Sequence, residues 1–279
     1  MKRQLGFVFV IGLLCAIHFS CSRNIALEKT RQSNLEQLEK KIFVLKPDKQ
    51  LPKDTLPSER IELILSDRIL QANWVSAGQT APAFFILHGN GETLSEWGPL
   101  QMYLFSKGYS SFVFDYTGFG NSTGQPTVSN LNNDAIEAYK KFASLTPNAK
   151  ERIGFAHSLG CSILLNDAND FKPLLNKVVI HGAFSTLRNI LVEKHFINDS
   201  SKTNYPNVWN GLKNAQKIKS SLYVLHSVND KTIPIAMSME LAKSAGSNGR
   251  FLKLETPGHN AVYELPNDKT WNAIFEFIK

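Results

Sequence analysis

Three side chains far apart in the sequence have the types needed to make an alcohol nucleophilic. Ser158 stands in Ala156-His157-Ser158-Leu159-Gly160, between the apolar run Ile153-Gly154-Phe155 and a helical pattern that begins Leu159-Gly160-Cys161-Ser162. A serine at the apex of a sharp strand-to-helix turn needs small residues two before and two after it, because the backbone crowds itself there. The turn points its hydroxyl at a helix N-terminus, where unpaired amide N–H groups favour developing negative charge. Alone, the pentapeptide also fits a serine that merely caps a helix. Serine reacts only when a base takes its proton, and that base needs an orienting acid. Asp230, in Ser227-Val228-Asn229-Asp230, follows the apolar run Leu222–His226, and His259, in Gly258-His259-Asn260, follows Phe251–Glu255. Taken singly, Asp230 fits a helix N-cap and His259 a solvated loop residue.

The elements around these residues say whether they can meet. Two alternating runs, Arg60–Leu65 and Ile69–Val75, predict a hairpin. Ala83–His88 is a continuous apolar run, the pattern of a strand covered on both faces. Strands at Ser111–Asp115, Ile153–His157, Lys177–His181, Ser221–His226 and Phe251–Glu255 then alternate with helices at Leu94–Lys107, Val128–Leu145, Ile235–Ala245 and Lys269–Ile278. Such alternation requires an α/β fold with a mostly parallel sheet and helices on both faces. Loops at the carboxyl ends of parallel strands converge on one edge, and Ser158, Asp230 and His259 all fall there. An oxyanion formed at that edge needs two N–H donors. Leu159, just after the serine, supplies one amide. The loop Leu87-His88-Gly89-Asn90-Gly91 supplies the other, from Asn90, with two glycines to turn the backbone toward the site.

The segments His88-Gly89-Asn90-Gly91, Asp115–Ser122, Ala156–Gly160, Asp230-Lys231-Thr232-Ile233-Pro234 and Gly258-His259-Asn260 together resemble the α/β-hydrolase superfamily, whose triad runs Ser, acid, His along the chain. Within it they are most similar to small-capped serine hydrolases with an H-G-N oxyanion loop, a group that includes protein depalmitoylases. The likeness runs from about Lys41 to the end, apart from residues 184–203. It implies the α/β-hydrolase fold and a triad of Ser158, Asp230 and His259. Three positions depart from the pattern: Thr117 where many relatives carry arginine, Ala156 for the first elbow glycine, and Ser227 for a glycine after the strand-end histidine. Asp115 also ends a strand near the site, but its Gly-rich successor and the family pattern make it a turn-fixing residue. His88 reads as a buttress of its loop, and His157, His181 and His226 as packing histidines. Trp74, Trp97, Trp209 and Trp271 read as core or interface aromatics.

Residues 184–205 break the strand–helix rhythm. Phe184, Leu187, Ile190, Leu191, Val192, Phe196 and Ile197 precede polar Asn198-Asp199-Ser200-Ser201. Their place in the chain fits a short apolar lid over an acyl chain, and equally a packed surface helix. The expected chemistry is acyl transfer from an ester or thioester to water, with a small-molecule or acylated substrate. Rivals are a peptidase on the same fold and a non-catalytic binding scaffold. No Cys–His cluster has metal-ligand spacing and no Gly-rich phosphate loop opens a helix, so neither metal nor organic cofactor is expected.

The chain has 279 residues and a formal net charge of +7. Its lysines are scattered without aromatic interleaving, which argues against nucleic-acid binding. Residues 1–20 resemble an export signal: Lys2 and Arg3, then an apolar run from Leu5 to Phe19, short for a spanning helix and the length of a signal h-region. Ser20-Cys21-Ser22 resembles a bacterial lipobox, in which Cys21 would carry a lipid and hold the protein at a membrane. Simple cleavage and an uncleaved anchor are the alternatives. His18 and Phe19 depart from the lipobox pattern. With Cys21 acylated, Cys161 is left as a lone thiol, read as a buried small hydrophobe. Residues 21–59 form a polar segment in which Leu27, Leu35, Leu38 and Ile42 predict an amphipathic helix, either a stalk or docked on the domain at 60–279. The sequence does not set the oligomeric state.

Overall fold

The computed structural model describes residues 24–49, 58–256 and 258–279; the leader and Cys21 lie outside them. Eight strands form one sheet: β1 (Ser58–Ile64), β2 (Ile69–Val75), β3 (Ala83–Leu87), β4 (Ser110–Phe114), β5 (Arg152–His157), β6 (Lys177–His181), β7 (Ser221–Ser227) and β8 (Gly249–Leu254). Their spatial order is β1-β2-β4-β3-β5-β6-β7-β8, with β2 antiparallel to both neighbours and every pair from β4 to β8 parallel. From β3 the chain crosses to β4 on one side and then back to β5 on the other. The carboxyl ends of β3 and β5 therefore flank the switch point of the sheet, where α/β proteins form their crevice.

Strand periodicity explains the two layers. Phe84 and Ile86 of β3 enter one core, and Phe85 and Leu87 the other. The same alternation runs through Tyr223 and Leu225 against Leu222 and Val224 in β7. Both faces are buried because helices cover both, so these strands read as unbroken apolar runs. On one face lie α2 (Leu94–Ser106), α8 (Ala261–Glu264) and α9 (Asp268–Ile278). On the other lie α1 (residues 24–42), α3 (Val128–Leu145), α4 (Leu159–Asp167) and α6 (Gly211–Lys217), with α7 (Ile235–Ser244) closing that face. Each fully buried Phe or Leu side chain contributes about 1.5–3 kcal/mol as an upper bound.

Helix α1 is docked, not a free stalk. Leu35, Leu38 and Ile42 recur at helical spacing and are buried in the α3/α4 core, while Leu27 stays exposed. The carboxylate of Glu39 accepts the Val128 amide at 2.7 Å, satisfying an orphan donor in the first turn of α3. Of the two arrangements expected for the polar segment, a stalk or a helix docked on the domain, residues 24–49 take the docked one. No helix among the described residues is long and apolar enough to cross a membrane.

Candidate active site

Ser158 caps β5 with φ 50° and ψ −114°, a strained backbone conformation for a residue with a side chain. Its amide is held by the His181 carbonyl at 3.0 Å. A Cβ at Gly160 would collide with the backbone carbonyls of Leu87 and His88, and Ala156 is fully buried. Both small residues are therefore dictated by how closely the elbow packs on β3. Ser158 is half-buried and lines one cavity with His259, Asn90 and Leu159.

The structure brings Asp230 and His259 together. The Asp230 carboxylate Oδ2 lies 2.6 Å from His259 Nδ1, and its Oδ1 accepts the amides of Thr232 (2.7 Å) and Ile233 (3.0 Å). Burial pushes the Asp230 carboxyl up, but the bond and charge of His259 and these two amides outweigh it and hold it at about 2. An ionised Asp230 accepts from Nδ1–H, so neutral His259 presents an unprotonated Nε2 as a base. Gly182, at φ +61°, sits under this pair: a side chain there would press on the imidazole Cε1 and Nδ1. Gly182 was not among the sequence candidates, although a glycine at the carboxyl end of β6, on the same sheet edge, is a readable signal.

Asp115 does not join them. It is fully buried, its Oδ1 accepts the Leu94 amide at 2.9 Å, and a Cβ at Gly120 would strike its carboxylate. Burial raises its carboxyl to about 8. It fixes the turn after β4, as the Gly-rich sequence implies. His88 Nδ1 contacts the Gly89 carbonyl at 2.8 Å, and Tyr116 donates to the His88 carbonyl at 2.9 Å, so His88 buttresses its loop.

The loop after β3, expected to supply an oxyanion donor, holds a residue that sequence reasoning missed. Glu92 is buried, and its Oε2 accepts the Gly89 amide at 2.6 Å and the Trp97 indole N–H at 3.1 Å. Its Oε1 lies 3.4 Å from His157 Nε2, and Tyr263 hydrogen-bonds to the same carboxyl. Burial, opposed by the Gly89, Tyr263 and Trp97 bonds, lifts the Glu92 carboxyl to about 8. Gly89 has an ordinary backbone, and a Cβ there would meet the Glu92 carboxyl, whereas Gly91 takes φ +77°. Leu159 is the first residue of α4, so helix geometry leaves its amide unpaired. Among the described residues no backbone carbonyl takes the Asn90 amide either.

A buried polar chain backs the histidine. His157 Nδ1 lies 3.1 Å from His181 Nδ1, His181 Nε2 lies 3.0 Å from Ser227 Oγ, and Thr256 donates to Ser227. One ring of the Nδ1 pair donates and the other accepts. Burial, reinforced by the His259 charge, pushes His157 well below its usual value and His181 to about 3. The His157 ring centre is 4.4 Å from that of His259. His226 Nδ1 pairs with Ser238 Oγ at 2.8 Å and its Nε2 with the Ile233 carbonyl at 3.0 Å, steadying the acid loop.

The cavity holds about 400 Å³. Phe184, Leu187, Ile190, Leu191 and Phe196 line it from the segment 184–205, which forms α5 (Leu187–Glu193) and a 3-10 turn at Asp199–Asn204. Trp209 also lines it, besides being a buried aromatic like Trp74, Trp97 and Trp271. Cys161 is fully buried, and burial raises its thiol far above the range in which it would react. Among the described residues no group of three or more His, Cys, Asp or Glu side chains is placed to hold a metal.

Comparison with known proteins agrees with this architecture. Residues 78–201 match a family model described as serine aminopeptidase, S33. An uncharacterized protein of Mycobacterium tuberculosis is 23% identical over 215 residues, 73% of this chain and 72% of that one. The lysophosphatidylserine lipase ABHD12 of Gallus gallus is 24% identical over 191 residues, 62% of this chain and 50% of the lipase. Among solved structures, the Pyrococcus furiosus esterase Pf2001 superposes with a TM-score of 0.66 at 15% identity, covering 84% of this chain and 96% of the esterase. The chain has the α/β-hydrolase fold.

Proposed function

We propose that this α/β-hydrolase-fold chain is a serine hydrolase that cleaves carboxylic ester or thioester bonds through an acyl-serine intermediate. The observation that carries the reading is the Asp230–His259 pair at 2.6 Å, opening on the same apolar-walled cavity as Ser158. His259 Nε2 takes the hydroxyl proton as Ser158 Oγ attacks the carbonyl carbon, and Asp230 stabilises the imidazolium that forms. The amides of Leu159 and Asn90 receive the oxyanion. Collapse expels the alcohol or thiol, which takes the proton from His259. Water, deprotonated by the same nitrogen, then releases the acid and regenerates Ser158. Neutral His157 against the His259 ring adds no charge to compete with the imidazolium.

Phe184, Leu187, Ile190, Leu191 and Phe196 in the cavity wall support an acyl group as the part of the substrate bound there. The esterase neighbour and the lysophospholipid lipase relative point the same way. Amide cleavage is the second reading, favoured by the aminopeptidase description of the matching family. A fluorophosphonate probe tests the reading: the wild type should label and Ser158→Ala should not. An unlabelled wild type would leave only a binding scaffold. A panel of acyl esters, acyl thioesters and aminoacyl amides then separates ester from amide cleavage. Residues 1–22 support export and a lipid tether on Cys21, which intact-mass analysis of the purified N-terminus checks.

A further inference from the structure

The backbone of the oxyanion loop is not fastened by its own neighbours alone. Asn90, whose amide is one of the two proposed oxyanion donors, pairs its side chain with the last residue of α1 and the segment just after it. Its Oδ1 accepts the Val44 amide at 2.9 Å and its Nδ2 donates to the Ile42 carbonyl at 2.8 Å. A primary amide that pairs with both a backbone N–H and a backbone C=O two residues apart has its plane fixed, and with it the peptide that bears it. The next residue, Gly91, approaches so closely that a Cβ there would press on the Val44 side chain. Further along, Asp48 Oδ1 accepts the Ser95 amide at 3.0 Å in the first turn of α2.

The same segment makes part of the cavity and reaches its far side. Ile42, Phe43 and Lys46 line the cavity with Ser158. From α1, Arg31 Nε donates to the Thr203 carbonyl at 2.9 Å and Asn34 Nδ2 to the Asn204 carbonyl at 2.8 Å, both in the 3-10 turn that ends the segment 184–205. Buried Leu35, Leu38 and Ile42 anchor the helix between these two attachments.

We propose that residues 24–49 are a strap belonging to the active site, and that the Asn90 side chain is a positioning residue that latches the oxyanion loop to it. The inference rests on the hydrolase reading above. It assigns the strap a role in turnover rather than in membrane attachment, and it makes Phe43 and Ile42 walls of the acyl site. Because the two latch bonds are made to backbone groups of the strap, the loop senses whether the strap is docked, whatever its side chains are.

The test is a double-mutant cycle on the full chain between Asn90→Ala, which removes both latch bonds from the loop side, and Val44→Pro, which removes the Val44 N–H from the strap side. Each variant is assayed for ester hydrolysis and for binding of a trifluoromethyl ketone, whose adduct with Ser158 places an oxyanion in the hole. Loss of a whole oxyanion donor costs about a hundred- to a thousand-fold. A misplaced donor should lower kcat by roughly ten- to a hundred-fold in Asn90→Ala, with KM moved less than about threefold and ketone affinity falling in parallel with kcat. Val44→Pro should reproduce part of that loss, and the double variant should be no worse than Asn90→Ala. Thermal unfolding run well above the assay temperature separates this from simple destabilisation, which would leave kcat and ketone affinity per folded molecule unchanged. An active wild type with an unaltered Asn90→Ala, or losses that multiply in the double variant, overturns the latch alone. A wild type inert to fluorophosphonate and to every ester overturns the hydrolase reading, and the latch with it.

Discussion

The two halves of the proposed catalytic site are held in different ways. On the base side, Asp230 and His259 sit on consecutive strand-end loops, joined by one short charge-assisted bond and two local amides. The bonds that hold Asp230 and His259 to each other are local to residues 230–259, with Gly182 leaving room for the ring. On the oxyanion side, the loop after β3 depends on a buried carboxyl, Glu92, and on strap residues 42–44, some 46 to 48 positions away in sequence. Charge holds the first half and geometry the second. Damage to the first should therefore abolish proton transfer, while damage to the second should leave the nucleophile intact but its transition state poorly stabilised.

Asp230→Asn should produce the largest loss. An asparagine donates to Nδ1 and leaves the histidine proton on Nε2, the wrong tautomer for a base, for about a ten-thousand-fold fall in kcat with near-native stability. Steady-state ester hydrolysis and a melting curve check both statements; a fall below tenfold would mean another group orients His259. Gly89→Ala should come next. The added methyl meets the Glu92 carboxyl and breaks its bond to the Gly89 amide or shifts the loop, so kcat should fall about a hundred-fold while fluorophosphonate labelling slows without vanishing. Complete loss of labelling would show that the two halves are not separable.

This division also governs what was legible in the amino-acid sequence. Ser158, Asp230 and His259 were readable because each is a short motif at a strand end, and strands buried on both faces announce themselves as apolar runs. The bounds of α3 and β6 follow from periodicity alone; β1 and β8 start about two residues earlier than the pattern suggests, where pairing extends past the apolar residues. Helices α6 and α8 were not legible, since seven and four residues are too few to show a 3.6 period. The face of α1 was visible in Leu35, Leu38 and Ile42, but a stripe does not name the surface it covers. Glu92 was invisible for a related reason. In Gly91-Glu92-Thr93, just ahead of a capping box, it reads as an ordinary acidic residue at a helix start, and only the fold buries it against Trp97 and Gly89.

Glu92 supplies the smallest and most discriminating effect. With its carboxyl raised to about 8, it is neutral at pH 7 and ionises above that, whereas Asp230, at about 2, stays charged throughout. A carboxylate appearing beside the Gly89 amide opposes the oxyanion, so wild-type kcat should decline through about pH 8. Glu92→Gln keeps an acceptor for Gly89 and cannot ionise. Its kcat at pH 7 should lie within roughly threefold of wild type, and its profile should lose that alkaline limb. Stability carries the same signature with a definite sign. The unfolded carboxyl releases its proton near 4.5 and the folded one near 8, so the native state binds more protons in between and its stability falls as pH rises across that window. Asp230 acts in the opposite sense and at the other end, stabilising above about 3.8 and losing that contribution only as pH falls toward 2. Denaturant midpoints from pH 5 to 9 should slope less in Glu92→Gln than in wild type. Identical slopes, with an alkaline limb retained in the variant, would assign the limb to another group and make Glu92 only a spacer under the loop.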